Sequence, residues 1–270
     1  MKQLFNNWLK RVPAELPLPA AATAAPIPPA SPPATTPLAL APDPVTEFHA
    51  WEYLRHNQRR QEHLASLGLS LAGASVLEVG AGIGDHTSFF LDRGCRVTSS
   101  EGRPDNVAIL AKRVPQLAVH LLDMEKPELE FSEPFDIVYC YGLLYHLRNP
   151  AVAIAYMAHG CRKMLLLETC VTFNDGASVN PVPELREVAS QAVSGQGCRP
   201  NRRWVFDELK KHFPHVYMPV TQPWHEEFPA DWTTPPAKPE LLTRAVFVAS
   251  RQPLDHPLLR EEILLRQRRH

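Results

Sequence analysis

The residues with chemical potential in this chain cluster where short apolar runs end. Residues 76–87 read VLEVGAGIGDHT, an apolar run carrying Glu78 near its end and followed by glycines at 80, 82 and 84. Glycines at such a turn let a ligand approach the backbone and tolerate positive φ, and the amides of the following helix start face the same space. A nucleotide-like ligand therefore belongs against Gly80, Ala81, Gly82 and Gly84. The next apolar runs end in further carboxylates, Glu101 in Ser100-Glu101-Gly102 and Asp123 in Leu122-Asp123-Met124. Beyond them lie groups able to move a proton: Tyr145 and His146 in the run that starts at Tyr141, and Glu168 in Leu167-Glu168-Thr169. A later loop interleaves Trp224 and His225 with acids, a composition suited to a sugar, a polyol or a cationic acceptor. Arg199 and its arginine neighbours at 202 and 203 could meet an anionic acceptor group.

A dinucleotide fingerprint, GxGxxG, would need a third glycine at position 85, which is Asp. The pattern present is E/D-x-G-x-G-x-G, complete from Glu78 to Gly84. Here the chain resembles the class I S-adenosylmethionine (SAM)-dependent methyltransferases, and the resemblance extends over residues 76–169. It implies SAM as cofactor, whose cationic sulfonium and ammonium suit a turn flanked by carboxylates. Glu101, about 20 residues after Gly80 and next to Gly102, then accepts the ribose hydroxyls. Asp123 receives the adenine amino group while Met124 packs on the ring, and Tyr141 stands at the edge beside the methyl group. In the helix before the first strand, Tyr53 or Arg55 would hold the methionine carboxylate by a charge-assisted bond. The stretch Gly142-Leu143-Leu144-Tyr145-His146 also looks like the corresponding motif of the tRNA wobble-uridine carboxymethyl transferases.

Methyl transfer is an in-line displacement at the sulfonium carbon, so alignment and exclusion of water dominate. A base is required only when the acceptor must lose a proton. Glu168 is the first candidate for contact with the acceptor, with His146 and Tyr145 beside it. Trp224, His225 and Arg199 are the candidate substrate residues. The expected activity is methylation of a small molecule or saccharide on oxygen. The alternatives are an RNA-modifying methyltransferase and a SAM-binding protein without transferase activity.

Positioning these residues requires a sheet. Apolar runs at 76–79, 96–99, 118–122, 137–140 and 164–167 alternate with helical patterns at 87–93, 106–113 and 151–159. Strands separated by helix-length segments imply right-handed crossovers and an α/β, doubly wound, mostly parallel sheet covered on both faces, of the Rossmann-like seven-stranded kind that the resemblance implies. A helix pattern at 204–212 and strands at 215–220 and 244–249 complete it, separated by insertions at 171–201 and 221–240 where a substrate lid would lie. A helix is expected over 48–67, its middle too polar to be core. The last residues, 251–270, read as a solvated helical tail.

The remainder bounds the setting. Of 28 prolines in the 270 residues, 11 fall between Pro13 and Pro44, so residues 13–46 read as a Pro/Ala-rich linker ahead of a domain at 47–250. Residues 1–12 could form a short docking helix for a protein partner. Five cysteines without CxxC spacing argue against a disulfide framework and a zinc site, and the expected setting is cytoplasmic with no metal. A net charge of −1 supplies no global field for collecting nucleic acid, which is not the expected partner, and no apolar run is long enough for a membrane span.

Overall fold

The computed structural model describes residues 42–174, 176–236, 238 and 241–270. The docking helix expected at residues 1–12 and nearly all of the Pro/Ala stretch lie outside them. The chain enters through α1 (Pro44–Phe48), where proline at the first helical position needs no amide partner and the Asp43 carboxylate accepts from the Val45 and Thr46 amides at 3.0 and 3.2 Å. Then come α2 (Trp51–Ser66), β1 (Ser75–Val79), α3 (Thr87–Leu91), β2 (Arg96–Glu101), α4 (Pro104–Arg113), β3 (Ala118–Leu121), β4 (Phe135–Tyr141), α5 (Pro150–His159) and β5 (Cys161–Val171). The later half adds β6 (Pro181–Pro183), β7 (Gln196–Cys198), α6 (Arg202–Lys210), β8 (His215–Pro219), β9 (Thr221–Gln222), β10 (Thr243–Ser250), β11 (Leu259–Arg260) and β12 (Arg268–Arg269).

Among the described residues the main sheet has eight strands in the order β11-β8-β10-β5-β4-β1-β2-β3. The run from β3 to β5 is parallel, whereas β10 lies antiparallel between β5 and β8. Central strands are covered on both faces, which is why β1, β4 and β10 read as continuous apolar runs rather than as alternating ones. Leu77, Val138 and Leu165 join the core layer beneath α5 and α6, and Val76, Ile137 and Leu166 join the opposite layer with Phe89 and Phe90 of α3. The chain reverses direction across the sheet at β1, flanked by β2 and β4, so a crevice opens at the carboxyl ends of these strands.

Two expectations are corrected. The middle of α2 is not a solvated face: His56, Asn57, Arg60 and His63 are all buried. Burial is tolerated because partners are supplied. His63 Nε2 lies 3.1 Å from both polar oxygens of Thr221, Arg60 meets Glu168 and His56 meets Glu227. The tail over 251–270 is not helical. Its Leu259 and Arg260 extend the sheet beside β8, and β12 pairs with β9. Here backbone pairing with two exposed edges outcompetes a short helix that would have little to pack on. The tail adds the eighth strand to the seven expected.

Candidate active site

The turn after β1 is built by glycine. Gly80 has φ of +70°, and a Cβ there would stand 2.8 Å from that of Leu143; Gly84 has φ of +89°, and a Cβ would stand 2.3 Å from Leu110 Cδ1. Both the backbone region and the lack of space exclude a side chain. The amides of this turn are not free for an anion. Gly80 and Ala81 donate to Ser100 O at 2.9 and 3.0 Å, Gly84 donates to Ala81 O, and Gly82 donates to Glu101 Oε2 at 2.9 Å. A turn whose amides are satisfied internally is no phosphate cradle, which separates it from a dinucleotide loop.

Glu101 closes β2 and is buried, its second oxygen accepting from the Arg103 amide at 3.0 Å and from Asn106 Nδ2 at 3.4 Å. Burial raises its pKa, and the three donors offset part of that rise. Glu78 also lines the cleft beside the turn, and one of its carboxylate oxygens accepts from Thr87 Oγ1 at 2.6 Å and Ser99 Oγ at 2.9 Å, tying the two sides of the loop together. Burial pushes its carboxyl up to about 7 from an ordinary 4.5. The proton-linked stabilisation is therefore full below pH 4.5 and is lost as the pH rises through about 7. Glu78→Gln, which keeps an acceptor oxygen without the charge, is expected to gain roughly 3 kcal/mol relative to the parent between pH 4 and pH 8. Urea unfolding of both proteins at the two pH values measures this; an unchanged difference would mean that Glu78 is not held protonated.

The turn, Glu78, Glu101 with Gly102, Asp123 with Met124, and Tyr141 share a single cleft. Its roof comes from Tyr53, Asn57 and Arg60 of α2 and from residues 189–193 of the insertion. Residues 53, 57 and 60 are spaced four and three apart, one face of a helix. Arg55 is out of phase with that face. It points away from the cleft, where Nη1 and Nη2 donate to both oxygens of Glu226 at 2.8 and 2.6 Å, so the guanidinium that roofs the cleft is that of Arg60. Gly84 packs on α4 rather than facing the cleft.

Polar atoms in this lining are left without protein partners although buried: Tyr141 Oη, Asn106 Oδ1, Arg60 Nε and His86 Nε2. Buried polar groups of this kind are ordinarily bonded, so they are positions for the polar atoms of a ligand. They combine donors, acceptors and a carboxylate end at Glu101, which fits a nucleoside carrying an amino-acid arm.

The acceptor-side candidates fare differently. Glu168 is fully buried and outside the cleft lining, with one oxygen accepting from Arg60 Nη2 at 2.5 Å and the other from Arg244 Nη1 at 3.2 Å. Both oxygens are committed to ion pairs, so Glu168 is a structural anion rather than an acceptor contact. Tyr145 is also outside the cleft lining, its ring centre 5.0 Å from the Arg199 guanidinium and 4.9 Å from that of Arg244. His146 does line the cleft, and its Nδ1 lies 2.5 Å from Glu184 Oε2. Arg199 supports that carboxylate from Nη1 at 3.2 Å instead of facing a ligand.

Trp224 is exposed, and His225 is buried against His56, with neither in the cleft. His56, His225 and Glu227 do offer ligand atoms within 4.8 Å of one another. Arg244 Nε already donates to Glu227 at 2.6 Å, and Arg55 and Arg60 stand nearby, so the group is an ion-pair network in which a dication would meet three guanidiniums.

Sheet order, the glycine turn and the cleft together give a Rossmann-like fold with a ligand crevice at the carboxyl ends of β1, β2 and β4. Residues 76–163 match the methyltransferase domain family. The fold is shared with the N-terminal domain of EvdMO1, solved with S-adenosylhomocysteine and D-fucose, at 23% identity and a TM-score of 0.55 over 73% of this chain and 83% of that one. A second structure of that domain with S-adenosylhomocysteine bound gives 24% identity and a TM-score of 0.54 over 73% of this chain and 81% of that one. In sequence, the chain is 35% identical over 136 residues to a tRNA U34 carboxymethyltransferase of Shewanella denitrificans, a match that takes in 48% of this chain and 40% of that relative. No helix among the described residues is long and apolar enough to cross a membrane.

Proposed function

We propose that this protein binds SAM in the cleft and transfers its methyl group to a hydroxyl oxygen of a small molecule or saccharide. The observation that carries this reading is the continuity of the cavity, which runs from Glu101 and Asp123 under the roof of Tyr53 and Arg60 to His146. In it Glu101 accepts the ribose hydroxyls, Asp123 the adenine amino group, and buried Met124 packs on the ring. Tyr53, Asn57 and Arg60 take the methionine end, with the unpartnered Arg60 Nε directed to its carboxylate. The sulfonium is then left near Tyr141, and the acceptor enters between Leu143, His146 and the insertion. EvdMO1, crystallised with a deoxysugar, makes D-fucose a sensible first acceptor probe. All five cysteines are buried free thiols, the state that a cytoplasmic, reducing setting keeps.

Tyr141→Phe tests the cofactor half, since it removes one hydroxyl that no protein group satisfies and leaves the ring stacked on Tyr139. Calorimetric titration with SAM is expected to show binding weakened roughly 5-fold, the worth of one neutral hydrogen bond. Equal affinity would remove Tyr141 from the site. The identity to a tRNA carboxymethyltransferase favours RNA as a second reading. On that reading tRNA would bind with an affinity that falls steeply between low and moderate salt.

A further inference from the structure

The proton path of the proposed transfer has a partner outside the cleft lining. His146 follows β4 in a short 3₁₀ turn (Leu144–His146), and its Nδ1 is paired with Glu184, which directly follows β6 in the insertion. Glu184 is held on three sides: Oε2 also accepts the Ala192 amide at 2.8 Å, and Oε1 accepts Arg199 Nη1 at 3.2 Å. Gly197 on β7 leaves the space, because a Cβ there would stand 2.6 Å from Glu184 Oε1. The β6–β7 hairpin thus fixes one carboxylate against one imidazole nitrogen.

Resting on the function proposed above, we infer that Glu184 is the positioning residue that makes His146 the proton acceptor of this cleft, for an acceptor of the neutral hydroxyl class. With Nδ1–H donating to Glu184, the lone pair of Nε2 is left for the cleft. In the transfer the hydroxyl proton passes to His146 Nε2 and the oxygen bonds the methyl carbon. The breaking carbon–sulfur pair returns to sulfur, giving the neutral thioether, and the imidazolium later returns its proton to solvent.

The charges around the pair suit this cycle. Burial lowers the pKa of His146, with Arg199 and Arg244 acting in the same direction, while Glu184 opposes them. The Glu184 carboxyl is itself held below its ordinary value by His146, the Ala192 amide and Arg199. The Tyr145 ring lies tilted against the imidazole at 4.0 Å between ring centres, and Glu125 lines the cleft beside His146. The resting state is a neutral imidazole beside an ionised carboxylate.

The test uses the full chain and two readouts. Nitrogen-15 NMR of the histidines, with the His146 signal assigned by its loss in His146→Gln, is expected to show the Nδ1–H tautomer and a far-downfield Nδ1 proton. In Glu184→Gln that proton signal should vanish, and the His146 titration should move to lower pH, because the group that stabilised the charged ring is gone. With the acceptor in hand, kcat of Glu184→Gln should fall roughly 100-fold with its acid limb shifted the same way, SAM affinity staying within about twofold. Glu184→Asp should recover part of the rate. An Nε2–H tautomer, or a His146 titration unmoved in Glu184→Gln, overturns the inference. Failure of the parent protein to bind SAM would instead defeat the function on which it rests.

Discussion

Glu101→Ala is expected to weaken SAM binding by roughly 100- to 1000-fold, because the ribose loses a charged acceptor worth about 1.5–3 kcal/mol per bond. The effect has a second source in the protein itself. Glu101 holds the Gly82 amide at 2.9 Å and the Arg103 amide at 3.0 Å, so its removal also frees the turn from the end of β2. Glu101→Gln retains an oxygen for one of these roles and should lose less. Calorimetry with the parent and both variants measures the ordering. Affinity for SAM that is equal in parent and Glu101→Ala would place the ribose elsewhere.

Glu168→Ala is expected to lower stability by about 3–5 kcal/mol, since it leaves the guanidiniums of Arg60 and Arg244 buried without their shared anion. For a protein of this size that is a fall of about 10 °C in Tm. Denaturant unfolding of the two proteins checks it. A variant as stable as the parent but inactive would restore Glu168 to the acceptor site. The distinction matters because a strand-end glutamate beside a ligand cleft has two readings from sequence, and only the two arginines decide between them. Arg60 is 108 positions away from Glu168, and Arg244 is 76.

That distance in sequence marks the limit of what local patterns reveal. The glycine turn, Glu101, Asp123 and Tyr141 were legible because each sits at a strand end whose position follows from a local apolar run. The face of α2 was half legible: Tyr53, Asn57 and Arg60 share a helical stripe, and that period, rather than charge, separates Arg60 from Arg55. Its burial was hidden, because partners such as Glu227 and Thr221 arrive from the second half of the chain. Glu184 carried no local signal at all. It lies in a hairpin of three-residue strands, and only the fold brings it to His146. The tail misled for a related reason: Leu259 and Arg260 pair with β8, Arg268 and Arg269 pair with β9, and Ile263 and Leu264 pack against the core, all of which depends on where β8 and β9 end.

The most direct test of the central claim is incubation of the purified protein with methyl-labelled SAM and an extract separated into small-molecule and RNA fractions. Label is expected in the small-molecule fraction, bound as an oxygen-linked methyl group and absent when Glu101→Ala replaces the parent. Label in the RNA fraction, or label transferred equally by Glu101→Ala, would contradict it.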